Sequence, residues 1–130
     1  MKRILIAVFG VLAATSVAEA QTNEQIIQRA LAPLSGRAAE GAAVIQWNAD
    51  HSYTTLKEGT NAYVCYDRSS DPGRPAFAVQ CTNVGNLERV AQNRRFAAEA
   101  QGDRDVNTRL VAEAEADGTR VPAVFGSVWI

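Results

Sequence analysis

The chain has 130 residues, a formal net charge of −1 and apolar side chains at 47% of its positions. This length corresponds to one domain with a modest hydrophobic core. A nearly neutral charge argues against a dedicated nucleic-acid surface, because such surfaces carry an excess of lysine and arginine. The composition therefore favours a small globular protein with no nucleic acid among its partners.

The first twenty residues have the pattern of an export signal. Lys2 and Arg3 precede an apolar run from Ile4 to Ala14, and Ala18-Glu19-Ala20 matches the small-x-small pattern of a cleavage site. The run is shorter than the roughly 20 apolar residues that a membrane span needs. We expect a signal peptide over residues 1–20, cleavage after Ala20, and a periplasmic or extracellular protein with no membrane span. An uncleaved N-terminal anchor is the alternative.

Residues 21–130 are the predicted single domain, and they carry 11 basic and 13 acidic side chains, a charge of −2. Two cysteines in an exported chain favour a structural disulfide, here between Cys65 and Cys81. Their spacing excludes a C-x-x-C redox centre. A metal site would need His51 together with carboxylates, and no helix or strand spacing supplies that set. We expect one disulfide, no metal and no cofactor.

The first half of this domain predicts one helix followed by strands. Thr22 and Gln25 have the spacing of a capping box, and apolar residues then recur at helical spacing. Aromatic and β-branched residues dominate the later stretches, with turn formers between them. The predicted elements are a helix over Asn23–Leu31, a connector over residues 34–41, a hairpin of Ala42–Trp47 with Ser52–Lys57, a turn at residues 58–59, and strands over Thr60–Tyr66 and Phe77–Cys81.

The second half predicts two helices and a last strand. Asn86 is a plausible N-cap for the first helix, and Gly102-Asp103 breaks it. The second helix covers Val106–Ala116, with Gly118 after its end. Residues 120–130 are expected to form a strand at a sheet edge, because Pro122 lacks the backbone donor that a central strand needs. The element order predicts an α+β fold: a small antiparallel sheet of four to five strands with helices packed on one face.

The loop between the two cysteines is the candidate binding surface. Alternation along the strand places Tyr66 on the face opposite Cys65. We expect aromatic residues on the sheet to pack under the helices. The functional alternative is that Tyr66 stands exposed beside the loop, where a rigid aromatic ring next to arginines has the composition of an interaction hot spot. The candidate contact residues are Tyr66, Arg68, Asp71 and Arg74.

Catalytic chemistry has a weaker basis in this sequence. His51 is flanked by Asp50 and Ser52, but a triad needs the base within hydrogen-bond reach of the serine, and adjacent turn residues generally point apart. We expect an exposed turn histidine. Glu58 precedes Gly59-Thr60-Asn61, which lacks the lysine and following helix of a phosphate-binding loop. A small hydrolase-like enzyme that uses His51 with Asp50 or Glu58 is the alternative function.

The stretch from Leu56 to Cys65 resembles a group of small exported bacterial proteins. Their pattern is Gly-Thr-Asn, an aromatic residue, a first cysteine, a loop rich in proline, glycine and aspartate, and a second cysteine. This chain has Ala62-Tyr63 where the pattern has glycine and tryptophan. The group is uncharacterised, so the resemblance implies export and the disulfide but no activity. We expect a non-enzymatic binding module, without catalytic residues, whose partner is an unknown envelope or extracellular protein.

Overall fold

The computed structural model describes residues 21–125 and the backbone of residues 128–129. The predicted signal peptide over residues 1–20 lies outside this range. In the described part of the chain, four helices, a short 3-10 turn and five strands form an α+β fold with one disulfide, as predicted. The elements are α1 (Asn23–Ala30), α2 (Gly36–Gly41), β1 (Ala43–Trp47), β2 (Tyr53–Lys57), β3 (Tyr63–Asp67), β4 (Val79–Asn83), the 3-10 turn (Val84–Asn86), α3 (Leu87–Ala100), α4 (Arg104–Asp117) and β5 (Val128–Trp129).

The sheet has the strand order β2-β1-β3-β4-β5, with β2 and β5 at its edges. The β1–β2 hairpin is confirmed, and β3–β4 and β4–β5 are also antiparallel, whereas β1 and β3 are parallel. The prediction of a purely antiparallel sheet is therefore wrong. Lys57, the last residue of β2, lies opposite Val44 near the start of β1. After β2 the chain crosses the starting end of β1, and β3 begins beside that end. The two strands therefore run in the same direction and are parallel.

The Gly59-Thr60-Asn61 turn makes this crossing. A Cβ atom on Gly59 would lie 2.5 Å from the backbone nitrogen of Ala43, so the chain passes there with no room for a side chain. The amides of Thr60 and Asn61 both donate to the Gly41 carbonyl, at 2.7 and 3.0 Å. The Asn61 side chain donates to the Ala38 carbonyl and accepts from the Tyr63 amide. The turn therefore joins the end of α2 to the start of β3.

Helices cover both faces of the sheet, so the prediction that they pack on one face is wrong. On the α1 side, buried Val44, Cys65 and Cys81 pack with Ala30 and Ala42. On the α3 side, Ile45, Val64 and Tyr66 pack with Leu87. Successive residues of a strand point to opposite faces. Because neighbouring residues in β1 and β3 are apolar, each face has a surface that a helix must bury.

The helix ends largely follow their sequence signals. The Thr22 hydroxyl accepts from the Gln25 amide at 3.2 Å, and the Gln25 side chain accepts from the Thr22 amide at 3.0 Å, so the capping box is confirmed. Gly118 ends α4 in the left-handed conformation, with φ 79°. The predicted connector over residues 34–41 instead contains α2. None of the helices within residues 21–125 is both long enough and apolar enough to cross a membrane.

The segment after α4 differs from its prediction. Strand pairing in the described residues after α4 is confined to Val128–Trp129, and Pro122 lies outside it. The Asn86 side chain does not cap α3: its amide group donates to the Val124 carbonyl and accepts from the Val124 amide, both at 2.6 Å. Gln92 likewise donates to the Thr119 carbonyl. Side chains of the 3-10 turn and of α3 thus satisfy backbone groups that a longer strand would have paired.

Candidate functional site

The disulfide closes the base of the segment between β3 and β4. Cys65 and Cys81 are direct partners in the antiparallel register, both are fully buried, and their sulfur atoms are bonded at 2.02 Å. The pairing continues to Asp67 opposite Val79, after which the Arg68 amide donates to the Ala78 carbonyl at 2.6 Å. The predicted disulfide is confirmed. It holds the two strands together at the base of residues 68–78, which we call the β3–β4 loop.

Arg29 of α1 holds one side of this loop. Its Nε donates to the Asp67 carboxylate, and its Nη2 donates to the Ser69 hydroxyl at 2.8 Å and to the Ala76 carbonyl. The guanidinium carbon lies 4.6 Å from the centre of the Phe77 ring, within cation–π range. Asp67 ends β3 and Ser69 lies near the start of the loop, whereas Ala76 and Phe77 lie near its end. One side chain therefore ties the two arms of the loop together.

Arg94 of α3 holds the other side through the Asp71 carboxylate. Arg94 Nη1 donates to one carboxylate oxygen at 2.9 Å, and Arg68 Nε donates to the other at 3.0 Å. A second nitrogen of Arg68 donates to Gln80 Oε1 at 3.1 Å, which links the network to β4. The three charged side chains are 17–23% exposed. Partial burial weakens screening by solvent, so these pairs constrain the loop more than surface ion pairs would.

The Asp67 carboxylate is held in its charged form. Burial raises its pKa, but hydrogen bonds from the Ser69 hydroxyl and amide, together with the Arg29 guanidinium, outweigh burial. The pKa is therefore lowered from its ordinary value of 3.8. Asp67 is ionised at neutral pH, and its pair with Arg29 persists there.

The tip of the loop faces solvent. Residues 72–77 are exposed, and Phe77 retains 43% of its accessible surface. The Arg74 amide donates to the Asp71 carbonyl, but its guanidinium forms no ion pair within residues 21–125. Around the loop, the guanidinium groups of Arg29, Arg68, Arg74 and Arg94 outnumber the carboxylates of Asp67 and Asp71. A positively charged, partly apolar surface results on a protein of slightly negative net charge.

The predicted contact residues occupy three different settings. Tyr66 is only 1% exposed, so it packs under the helices, and the alternative that it stands exposed as a contact residue is wrong. It points to the α3 face and packs edge-on against Trp47, with ring centres 5.8 Å apart, and burial raises its pKa well above the ordinary value. Arg68 and Asp71 bind each other within the network. Arg74 is exposed at the tip, as a contact residue must be.

Three residues that the sequence did not single out complete this site: Arg29, Arg94 and Phe77. The two arginines lie 38 and 23 positions from the aspartates they bind, so no local spacing indicates those pairs. The predicted strand over Phe77–Cys81 included Phe77, but β4 begins only at Val79. Phe77 therefore lies in the loop, where its ring packs against Arg29 and remains partly exposed.

The residues of the hydrolase alternative are not joined to one another. The Asp50 carboxylate accepts from the Ser52 amide and hydroxyl rather than from His51, and the hydroxyl bond is the main cause that lowers its pKa. Glu58 follows the far end of β2, and the rise of an extended strand puts its backbone about 20 Å from that of His51. His51 adopts a left-handed backbone conformation, with φ 67°, and is partly buried rather than exposed.

His51 instead faces a cleft of about 340 Å³ between the β1–β2 turn and α3. Two buried polar atoms here, His51 Nδ1 and Trp47 Nε1, have no hydrogen-bond partner within residues 21–125. Residues 21–125 contain no cluster of three or more histidine, cysteine, aspartate or glutamate side chains that could hold a metal ion. The cleft is lined by Trp47, His51, Ser52, Tyr53, Leu87, Glu88 and Ala91.

No protein-family model, curated protein or solved structure matches this chain.

Proposed function

We propose that this protein is an exported, non-enzymatic binding module whose contact surface is the tip of the β3–β4 loop. The observation that carries the proposal is that the loop is restrained at three points while its tip remains exposed. The disulfide closes its base, Arg29 ties its two arms together, and Arg94 binds Asp71. Such a loop loses little conformational entropy when a partner binds, so its contacts contribute more fully to affinity.

The exposed side chains suit this role. Arginine and aromatic residues are enriched among the residues that dominate protein–protein binding energies. Arg74 projects from the tip without an ion-pair partner in residues 21–125, and Phe77 leaves part of its ring in solvent. The surplus of guanidinium groups favours an acidic surface on the partner, because complementary charge accelerates association and selects among partners.

Export is part of the same proposal. Disulfides persist mainly in oxidising compartments, so the Cys65–Cys81 bond is consistent with a periplasmic or extracellular location. Lys2, Arg3 and the apolar run that follows supply the signal-peptide pattern. Intact-mass measurement of exported material tests this part. A species that begins at Gln21 is the expected result, and a species that retains Met1 would contradict it.

Photo-crosslinking tests the contact surface. A photoreactive amino acid at the position of Pro75, on the exposed tip, is expected to capture the partner from an envelope or extracellular fraction. The same group at Thr108, on the exposed side of α4, is the matched control. It is expected not to capture the partner that is captured at the position of Pro75. Equal capture at the two positions, or capture only at Thr108, would contradict a contact surface at the loop.

A second candidate function rests on the cleft, whose lining includes His51 and Ser52 from the β1–β2 turn and Glu88 from α3. His51→Gly tests it best, because glycine accepts the left-handed backbone of this position without strain. We expect the native protein and the His51→Gly variant not to differ in their turnover of ester, peptide and glycoside substrates. Turnover by the native protein that is lost in a normally folded His51→Gly variant would establish the hydrolase instead.

A further inference from the structure

A groove of about 440 Å³ lies between α1, α2 and β2, away from the β3–β4 loop. Its floor is apolar: Ile27, Leu31 and Leu56 pack there against the buried cluster on the α1 face of the sheet. Its rim is polar and includes Glu24, Gln28, Glu40 and Lys57. The volume falls within the range of about 300–1,000 Å³ that is usual for ligand sites.

The two carboxylates of the rim, Glu24 and Glu40, are not neutralised by its lysine, Lys57. Lys57 Nζ donates to the carbonyls of Glu40 and Ala42, at 2.8 and 2.6 Å, and more distantly to that of Glu58 at 3.5 Å. An ammonium group has three donors, so these backbone contacts engage all of them. Glu24 accepts only an uncharged donor from Gln28, and neither Glu24 nor Glu40 forms an ion pair within residues 21–125.

One side of the groove is also a sheet edge. Leu56 and Lys57 belong to β2, whose neighbour among the described strands is β1 alone. The outward backbone groups of an edge strand remain available to another chain, and addition of a strand to such an edge is a common mode of peptide recognition. In an added strand, every second side chain would face the α1 side of the sheet, where the groove lies.

We propose that this groove docks an extended segment of a partner protein that adds a strand beside β2. Its groove-facing residues are aliphatic at the centre, over Ile27, Leu31 and Leu56, and basic at the ends, near Glu24 and Glu40. The aliphatic side chains remove the apolar floor from water. The basic side chains supply the cations that the rim lacks. This site is independent of the β3–β4 loop and does not rest on the function proposed for it.

The probe is a fluorescent peptide of sequence Lys-Thr-Leu-Thr-Leu-Thr-Lys, whose lysines and leucines share one face of a strand. We expect it to bind residues 21–130 in fluorescence anisotropy, and E24Q with E40Q to weaken binding by about tenfold or more at low ionic strength. The matched control replaces two exposed acids on other helices, E99Q with E115Q, and is expected to leave the affinity unchanged. A third variant, R74S with F77S, alters the loop and should also bind normally.

Two further peptides separate this mode of binding from nonspecific attraction. Replacing both lysines by glutamate is expected to abolish binding, because the rim is acidic. Methylating the backbone nitrogens of both the leucines and the threonines is expected to abolish it as well, because neither edge of the peptide could then donate hydrogen bonds to β2. The proposal is overturned if the native peptide fails to bind, if the methylated peptide binds equally well, or if E99Q with E115Q weakens binding as much as E24Q with E40Q.

Discussion

Arg94 binds Asp71 across 23 positions of the chain, with Nη1 and Oδ1 2.9 Å apart. The same guanidinium lies 5.2 Å from the centre of the Trp47 ring, so it contacts the sheet as well as the loop. Asp71 also accepts from Arg68. This carboxylate is the point at which α3 and the β3–β4 loop are joined. The position of the loop tip depends on it.

Asp71→Asn tests that dependence. The change leaves two partly buried guanidinium groups without their carboxylate, and we expect it to lower the free energy of unfolding by about 1–3 kcal/mol. Urea denaturation measures the difference. The control is Glu113→Gln, which breaks the Arg109–Glu113 pair on α4, where both side chains are more than half exposed. That change should cost less than about 1 kcal/mol. Equal costs for the two variants would contradict the role given to Asp71.

Asp67→Asn tests the pair between Arg29 and Asp67 through the pH dependence of stability. The pKa of Asp67 is lowered in the folded protein, so the folded state favours the ionised form. Its contribution to stability is complete above the ordinary value near 4 and is lost as the pH falls through the lowered pKa. We expect Asp67→Asn to be less stable than the native protein at pH 7, with the difference shrinking below about pH 4. Denaturation series at several pH values measure this, and a difference independent of pH would contradict it.

Gly59→Ala tests the crossing between β2 and β3. The new methyl group would lie 2.5 Å from the Ala43 nitrogen and 2.9 Å from the Ala43 Cβ, closer than such atoms can approach. The backbone must shift, and we expect a loss of about 1–3 kcal/mol in the free energy of unfolding. Ser35→Ala is the control, because this exposed residue before α2 makes no side-chain capping bond. A neutral Gly59→Ala variant would show that the turn is not tightly packed.

Local signals in the sequence predicted the local parts of this structure. The capping box at Thr22, the β1–β2 hairpin and the Cys65–Cys81 disulfide each follow from residues close in sequence or from the only possible cysteine pair. The parallel pairing of β1 with β3 depends on where the chain crosses after β2. The burial of Tyr66 depends on α3 covering its face. Nothing near Arg29 or Arg94 indicates which aspartate each binds, so the restraints on the loop were beyond sequence reasoning.

Reduction of the disulfide tests the base of the loop. Fifteen residues separate Cys65 from Cys81. Opening a loop of this length raises the conformational entropy of the unfolded chain, which lowers the free energy of unfolding by about 3 kcal/mol. For a domain of this size we expect Tm to fall by roughly 10–20 °C. The variant Cys65→Ala with Cys81→Ala is the control, and reductant should not change its Tm. Thiol titration of the denatured, unreduced protein should find no free thiols, and two thiols per chain would contradict the bond.

The affinity of the crosslinked partner for loop variants tests the central claim most directly. Calorimetry would compare the native protein with Arg74→Ser plus Phe77→Ser, and with a control that changes two exposed residues elsewhere, Arg109→Ser plus Val84→Ser. A dominant contact contributes about 2 kcal/mol, so we expect the loop variant to bind at least about 30-fold more weakly while the control binds normally. Unchanged affinity in the loop variant, with the fold intact, would contradict the proposal that the β3–β4 loop is the binding surface.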